Sequence, residues 1–168
     1  LEGGVRYLTQ TFISGGSLAD RIERDGALDP AVAVKMCEEV GGALDALHQE
    51  GLFHRDVKPE NILLEDGQAL VADFGIARAA SALGKEKLTS TGVSLGTPTY
   101  MSPEQGMADP SVDGRSDIYS LGCVLYEMLV GQPPFTGPTT QAVIARHSLD
   151  DVPSLTVVRN SIPEEVED

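Results

Sequence analysis

The chain has 168 residues, 41% hydrophobic and 23% charged, so it can bury about 70% of its unfolded surface, and disorder is excluded. Its 12 Lys and Arg stand against 26 Asp and Glu, a formal charge of −14. Such a surface repels nucleic-acid phosphates and anionic lipid, which excludes both as direct partners but leaves room for a local cationic pocket. The best apolar run, Leu121 to Val130, is too short to span a bilayer and is interrupted by Glu127. Leu1-Glu2-Gly3-Gly4 shows no leader pattern, and without an initial Met the chain is expected to start inside a longer protein. Cys37 and Cys123 lie in apolar surroundings and read as two buried thiols of a reducing, cytoplasmic compartment.

In chain order, Val5 to Phe12 reads as a strand broken by Gly15-Gly16. Ser17 then caps a short helix, with Asp20 in the capping-box position and Gly26 as the stop. Asp29 caps the next helix and Pro30 opens it. Val32, Met36, Val40, Leu44 and Leu47 form its apolar stripe, and Gly51 ends it. Leu52 to His54 reads as a short strand. Ile62 to Leu64, a turn at Glu65-Asp66-Gly67, and Leu70 to Ala72 read as a hairpin. Ala77 to Met101 has no sustained period and is expected to be a long functional loop. Ser102-Pro103-Glu104-Gln105 opens a short helix. Ser116 is expected to cap another, Asp117 to Val130, apolar on nearly every face and therefore central. Thr139 to Arg146 is the last expected helix, followed by an acidic, solvated tail from Asp150. The whole predicts a mainly α fold with a short β hairpin, of the α+β class.

The chemistry gathers in His54-Arg55-Asp56-Val57-Lys58-Pro59-Glu60-Asn61, followed by Asp73-Phe74-Gly75. Asp56 and Lys58 lie in a loop after a strand, where both can face a cleft. Asn61 offers a neutral oxygen and Asp73 a charged one, a pair that suits Mg2+ completed by water and phosphate oxygens. Lys58 can neutralise charge on a phosphoryl group, and Asp56 can accept a hydroxyl proton. Together they describe in-line phosphoryl transfer.

These residues resemble the protein-kinase family, closest in wording to bacterial serine/threonine kinases. Residues 54–61 match its catalytic-loop signature at all but Val57, and Asp73-Phe74-Gly75 follows at the family spacing. Gly96 to Glu104 is similar to the end of an activation segment, Asp117 to Gly122 to the central helix, and Pro133-Pro134-Phe135 follows as in the family. The resemblance covers the whole chain and implies ATP and Mg2+ as cofactors. It implies protein substrates with Ser or Thr, and a kinase dimer for autophosphorylation. By the same resemblance Asp56 is the catalytic base and Lys58 the γ-phosphate contact, with Asn61 and Asp73 holding Mg2+. His54 and Phe74 join an internal spine. Thr11 and Ile13 bind adenine through the backbone, Gln10 is the gatekeeper, and Leu63 floors the pocket. Thr11 departs from the family, where an acidic residue is common. Thr89 and Thr91 match autophosphorylated threonines, Arg55 would hold their phosphate, and Thr97 with Lys58 marks Ser/Thr specificity. His54 is read as structural, without an acid–base role, and His48 and His147 as ordinary.

The family also needs a Gly-rich loop and a strand lysine. No two of the 18 glycines are separated by one residue, and Lys35, Lys58, Lys85 and Lys87 are the only lysines. Residues 1–168 are therefore expected to be a partial kinase domain, hinge and large lobe, with the small lobe absent and both ends inside a fold of about 250–300 residues. The family's arginine partner for Glu104 is missing, and Arg159 comes too early. The piece alone is expected to be marginally stable, prone to associate and inactive. A non-catalytic, pseudokinase-like ATP-binding or scaffold module is the alternative. A small-molecule phosphotransferase is disfavoured by Gly96 to Glu104.

Overall fold

The computed structural model of the chain describes residues 13–73, 98–163 and 166. The strand expected at Val5 to Phe12, the acidic end of the tail and most of the loop after Asp73 lie outside the described residues. So do Gln10, Thr11, Phe74, Thr89, Thr91 and Thr97.

Helices start where a side-chain oxygen can take an orphan N–H. Ser17 and Asp20 form the expected reciprocal capping box of α1, Leu18–Asp25. Asp29 accepts from the Ala31 N–H and Pro30 opens α2, Pro30–Gln49. Met36, Val40 and Leu44 of the predicted stripe are buried together with Ala33, while Val32 and Leu47 are only partly covered. The hairpin follows as β1, Ile62–Glu65, and β2, Gln68–Val71, paired antiparallel with Ile62 opposite Val71 and Glu65 opposite Gln68. Asp66 and Gly67 both take positive φ, 51° and 78°, as a two-residue primed turn requires.

A 3₁₀ turn at Pro98–Tyr100 leads to α3, Pro103–Gly106, which Ser102 caps as expected. The long helix, α4, spans Gly114–Val130. Its cap is Asp113, not Ser116: the Asp113 carboxylate takes the Arg115 N–H at 3.0 Å, and Ser116 lies inside the first turn. Gly114 leaves room for the His48 ring, since a Cβ there would sit 2.7 Å from Nδ1. Nor is α4 buried all round, because Ile118 is 53% exposed and Gly122 lies on the surface. It ends at Gly131 in the left-handed region, φ 86°. Thr139 caps α5, Thr140–Leu149, and the tail adds a short α6, Leu155–Val158.

The core joins α1, α2, the hairpin and α4. Leu18, Leu44, Val124 and Leu129 are fully buried within it, each worth about 1.5–3 kcal/mol of transfer free energy. Glu39 of α2 accepts the Ala69 N–H at 2.8 Å, which fixes the hairpin on α2. Arg159 does not meet Glu104. It donates to the carbonyls of Leu28 and Leu129 at 2.6 and 2.8 Å and anchors the tail across the core. Among the described residues the result is mainly helical with one two-strand antiparallel sheet. Both cysteines are free thiols; Cys123 is buried and Cys37 half-buried. Among the described residues no helix is long and apolar enough to cross a membrane.

Candidate active site

Leu52 to His54 forms no strand ladder among the described residues. Its main chain, with that of Arg55, is held by a side chain of the central helix. Asp117, 1% exposed, accepts the His54 N–H at 2.9 Å and the Arg55 N–H at 2.7 Å. The same carboxylate meets His48 Nε2 at 2.9 Å. A carboxylate this buried requires such partners. In the sequence Asp117 is an acid in the first turn of a largely apolar helix, a pattern that does not name its distant partners.

Arg55 takes φ 62°, a left-handed conformation that costs a non-glycine residue about 1–2 kcal/mol. Just beyond it, Asp56 meets Lys58 and Asn61. Asp56 Oδ2 lies 3.4 Å from Lys58 Nζ, both side chains partly exposed. Asn61 donates its amide to the Asp56 carbonyl at 2.8 Å and to Asp56 Oδ2 at 3.1 Å. Since its nitrogen is engaged there, its carbonyl oxygen faces away from Asp56. Asn61 is 8% exposed and ends the 3₁₀ turn Pro59–Asn61 that leads into β1.

His54 joins this loop to the hairpin. Its Nε2 donates to the Ala72 carbonyl at 3.0 Å, and its Nδ1 accepts the Asp56 N–H at 3.3 Å. Both ring nitrogens of a 1% exposed imidazole are thereby used, in keeping with the structural reading. The Ala72 N–H in turn donates to the main-chain carbonyl of Asn61 at 2.9 Å. Asp73 is the next residue, exposed and at φ 56°. Asp56, Asn61 and Asp73 are thus brought to one edge of the hairpin by hydrogen bonds through His54 and Ala72.

Leu63 of β1 bridges Ser17, and the Leu64 N–H donates to the Gly16 carbonyl at 2.9 Å. The segment starting at half-buried Ile13 is therefore tied to the strand carrying Leu63. On the other side, Gln105 of α3 donates Nε2 to the Arg55 carbonyl at 3.0 Å. A groove of about 300 Å³ opens there, lined by Arg55, Met101, Gln105, Ala108, Pro110 and Val112 among others. The Tyr100 hydroxyl donates to Glu127 at 2.5 Å, and Ser120 donates to the Tyr100 carbonyl at 2.6 Å. Glu104 accepts the Ser116 hydroxyl. Burial raises the Glu104 carboxyl, but hydrogen bonds led by the Ser116 hydroxyl outweigh it and hold the group below its ordinary range.

A loop aspartate, lysine and asparagine beside a hairpin-end aspartate, mounted on a central helix, are the parts of a phosphotransferase lobe of the protein-kinase type. The protein kinase domain family matches residues 2–167, and the chain belongs to that family. It is 44% identical over 150 residues to serine/threonine-protein kinase PknB of Mycobacterium tuberculosis, covering 89% of this chain and 24% of that protein. It is 42% identical over 163 residues to serine/threonine-protein kinase PknL of the same species, covering 96% of this chain and 40% of that protein. PknB of Mycobacterium leprae is 43% identical over 150 residues. The chain therefore spans between 24% and 40% of the length of the curated relatives it matches.

Proposed function

We propose that the chain is the large lobe of a serine/threonine protein kinase, whose full form transfers the ATP γ-phosphoryl group to Ser and Thr hydroxyls of proteins. The observation that carries this reading is the shared anchoring of Asp56: Asn61 fixes its carboxylate and His54 its main-chain N–H. Asp56 accepts the proton of the incoming hydroxyl while Lys58, 3.4 Å away, offsets charge on the transferring group. Asn61 keeps a carbonyl oxygen, and Asp73 an exposed carboxylate, for Mg2+. That donor set, one neutral and one charged oxygen, fits a hard cation that takes its other ligands from phosphate and water. The ion, when bound, would neutralise phosphate charge. Ile13 and Leu63 would line the adenine side with Thr11, Thr97 would help select hydroxyl substrates, and Arg55 would receive a phosphate on Thr89 or Thr91. The 168 residues alone have little or no turnover, and this segment of the active form is cytoplasmic.

The test is phosphoryl transfer from labelled ATP with Mg2+ to a generic protein substrate by the full-length gene product. Asp56→Asn should lower transfer by about 10²–10⁴-fold, the contribution of a positioned base. ATP–Mg2+ binding without transfer in the unsubstituted protein would instead favour a scaffold role, and Asp73→Ala should then abolish the metal-dependent part of that binding.

A further inference from the structure

The peptide unit joining Arg55 to Asp56 is gripped at both ends. Its N–H, that of Asp56, donates to His54 Nδ1 at 3.3 Å, and its carbonyl, that of Arg55, accepts from Gln105 Nε2 at 3.0 Å. Rotation of this plane would swing the Asp56 side chain, so its two partners decide where the carboxylate stands. His54 is a neighbour in sequence. Gln105 comes from 50 residues further on, in α3.

The orientation of the Gln105 amide follows from its other contact. The Ser102 N–H can only donate, and it meets Gln105 Oε1 at 3.0 Å. The nitrogen must therefore face the Arg55 carbonyl. Gln105 is at once the third helical residue of a capping box and a bridge to the loop. Glutamate serves a capping box equally well, but it has no donor for a carbonyl. The choice of an amide at this position is thus unexplained by the cap and explained by the bridge.

We infer that Gln105 is a positioning residue: its side-chain amide locks the Arg55–Asp56 peptide to the segment that follows the 98–100 turn, so the orientation of Asp56 depends on that segment being seated. The inference rests on the kinase reading only for its catalytic consequence. The positioning itself is a property of the fold.

Gln105→Glu tests it in the full-length gene product, because it keeps size and cap while replacing the donor with a carboxylate. Ser102→Ala is the control: it weakens the cap but leaves the Ser102 N–H to Gln105. Hydrogen exchange of the amides at 55–57 should be faster in Gln105→Glu and unchanged in Ser102→Ala. The kcat for transfer to protein should fall about tenfold in Gln105→Glu, with the KM for ATP within about twofold, as expected for loss of one hydrogen bond. Ser102→Ala should stay within about twofold of the unsubstituted kcat, a change well under one such bond. Unchanged exchange in Gln105→Glu, equal acceleration in Ser102→Ala, or faster exchange with an unaltered kcat would each overturn the inference. If the unsubstituted protein transfers no phosphoryl group, the kinase reading falls, and exchange alone decides for or against the positioning role.

Discussion

Asp117 Oδ1 accepts the Arg55 main-chain N–H at 2.7 Å, and Arg55 stands at φ 62°. An arginine stays in the left-handed region only where its surroundings over-determine it. Here the other oxygen of the same carboxylate takes the His54 N–H and meets His48. Asp117→Asn keeps the shape, but one of its two ends is an NH₂ facing a donor. That change should cost about 2–4 kcal/mol of unfolding free energy, since a buried N–H loses its acceptor. Urea unfolding measures it, and a loss under about 1 kcal/mol would mean that other contacts hold the turn.

Gly15 supports the site from the opposite edge. A Cβ at this position would lie 1.9 Å from the Leu64 carbonyl oxygen, which is rigid strand backbone. Gly15→Ala must push the 13–17 segment off β1 and disturb the Gly16–Leu64 hydrogen bond. A loss of about 1–3 kcal/mol is expected, the usual cost of overpacking. Gly42, exposed within α2 with open space where a Cβ would stand, should behave oppositely. Gly42→Ala should stabilise by about 0.5–1 kcal/mol through helix propensity. Thermal melts of the two variants should move in opposite directions, and Gly15→Ala should also weaken ATP binding if Ile13 and Leu63 line the nucleotide.

Glu127 makes stability fall as pH rises. Burial pushes its carboxyl above the ordinary value of 4.5; the Tyr100 hydroxyl opposes this and Glu60 adds to it. The folded state therefore holds the proton more tightly than the unfolded one in the window upward from about 4.5. Within that window this group's contribution declines with pH. Glu127→Gln keeps an acceptor for Tyr100 and removes the titration. Denaturation from pH 4 to 7 should show the variant gaining on the parent as pH rises. A constant difference across the range would refute the assignment.

How far these features can be read from the chain depends on the distance between partners. Ser17, Asp29, Ser102 and Thr139 cap helices with donors two or three residues away, so local pattern suffices. The Asp66-Gly67 turn is equally local. Ser116 misleads because its hydroxyl serves Glu104, while Asp113 does the capping. Leu52 to His54 misleads because an apolar stretch after a glycine looks like a strand, whereas Leu52 gives its N–H to the Leu47 carbonyl and His54 gives its own to Asp117, about 60 residues on. The proposed catalytic cluster is legible as a motif. Its supports, Asp117 and Gln105, are long-range contacts that no local pattern reveals.

His147 carries the opposite pH sign to Glu127. It is 6% exposed, its Nδ1 shares a hydrogen bond with the Tyr119 hydroxyl at 2.8 Å, and the Phe135 ring stands edge-on at 4.9 Å. Burial lowers its pKa below the ordinary 6.5, and the main chain of Thr99 and Pro98 only partly opposes this. Nε2 makes no hydrogen bond of normal geometry, so those carbonyls act as nearby dipoles rather than as partners. A depressed histidine contributes stability that is present above the unfolded pKa and is lost as pH falls from about 6.5 through the lower folded value. His147→Gln abolishes that loss but sacrifices packing against Phe135 and Tyr119. The variant should be less stable than the parent at pH 7 and should close the gap by pH 5. Urea midpoints at the two values test this. A gap that widens on acidification would show that the folded protein stabilises the imidazolium instead.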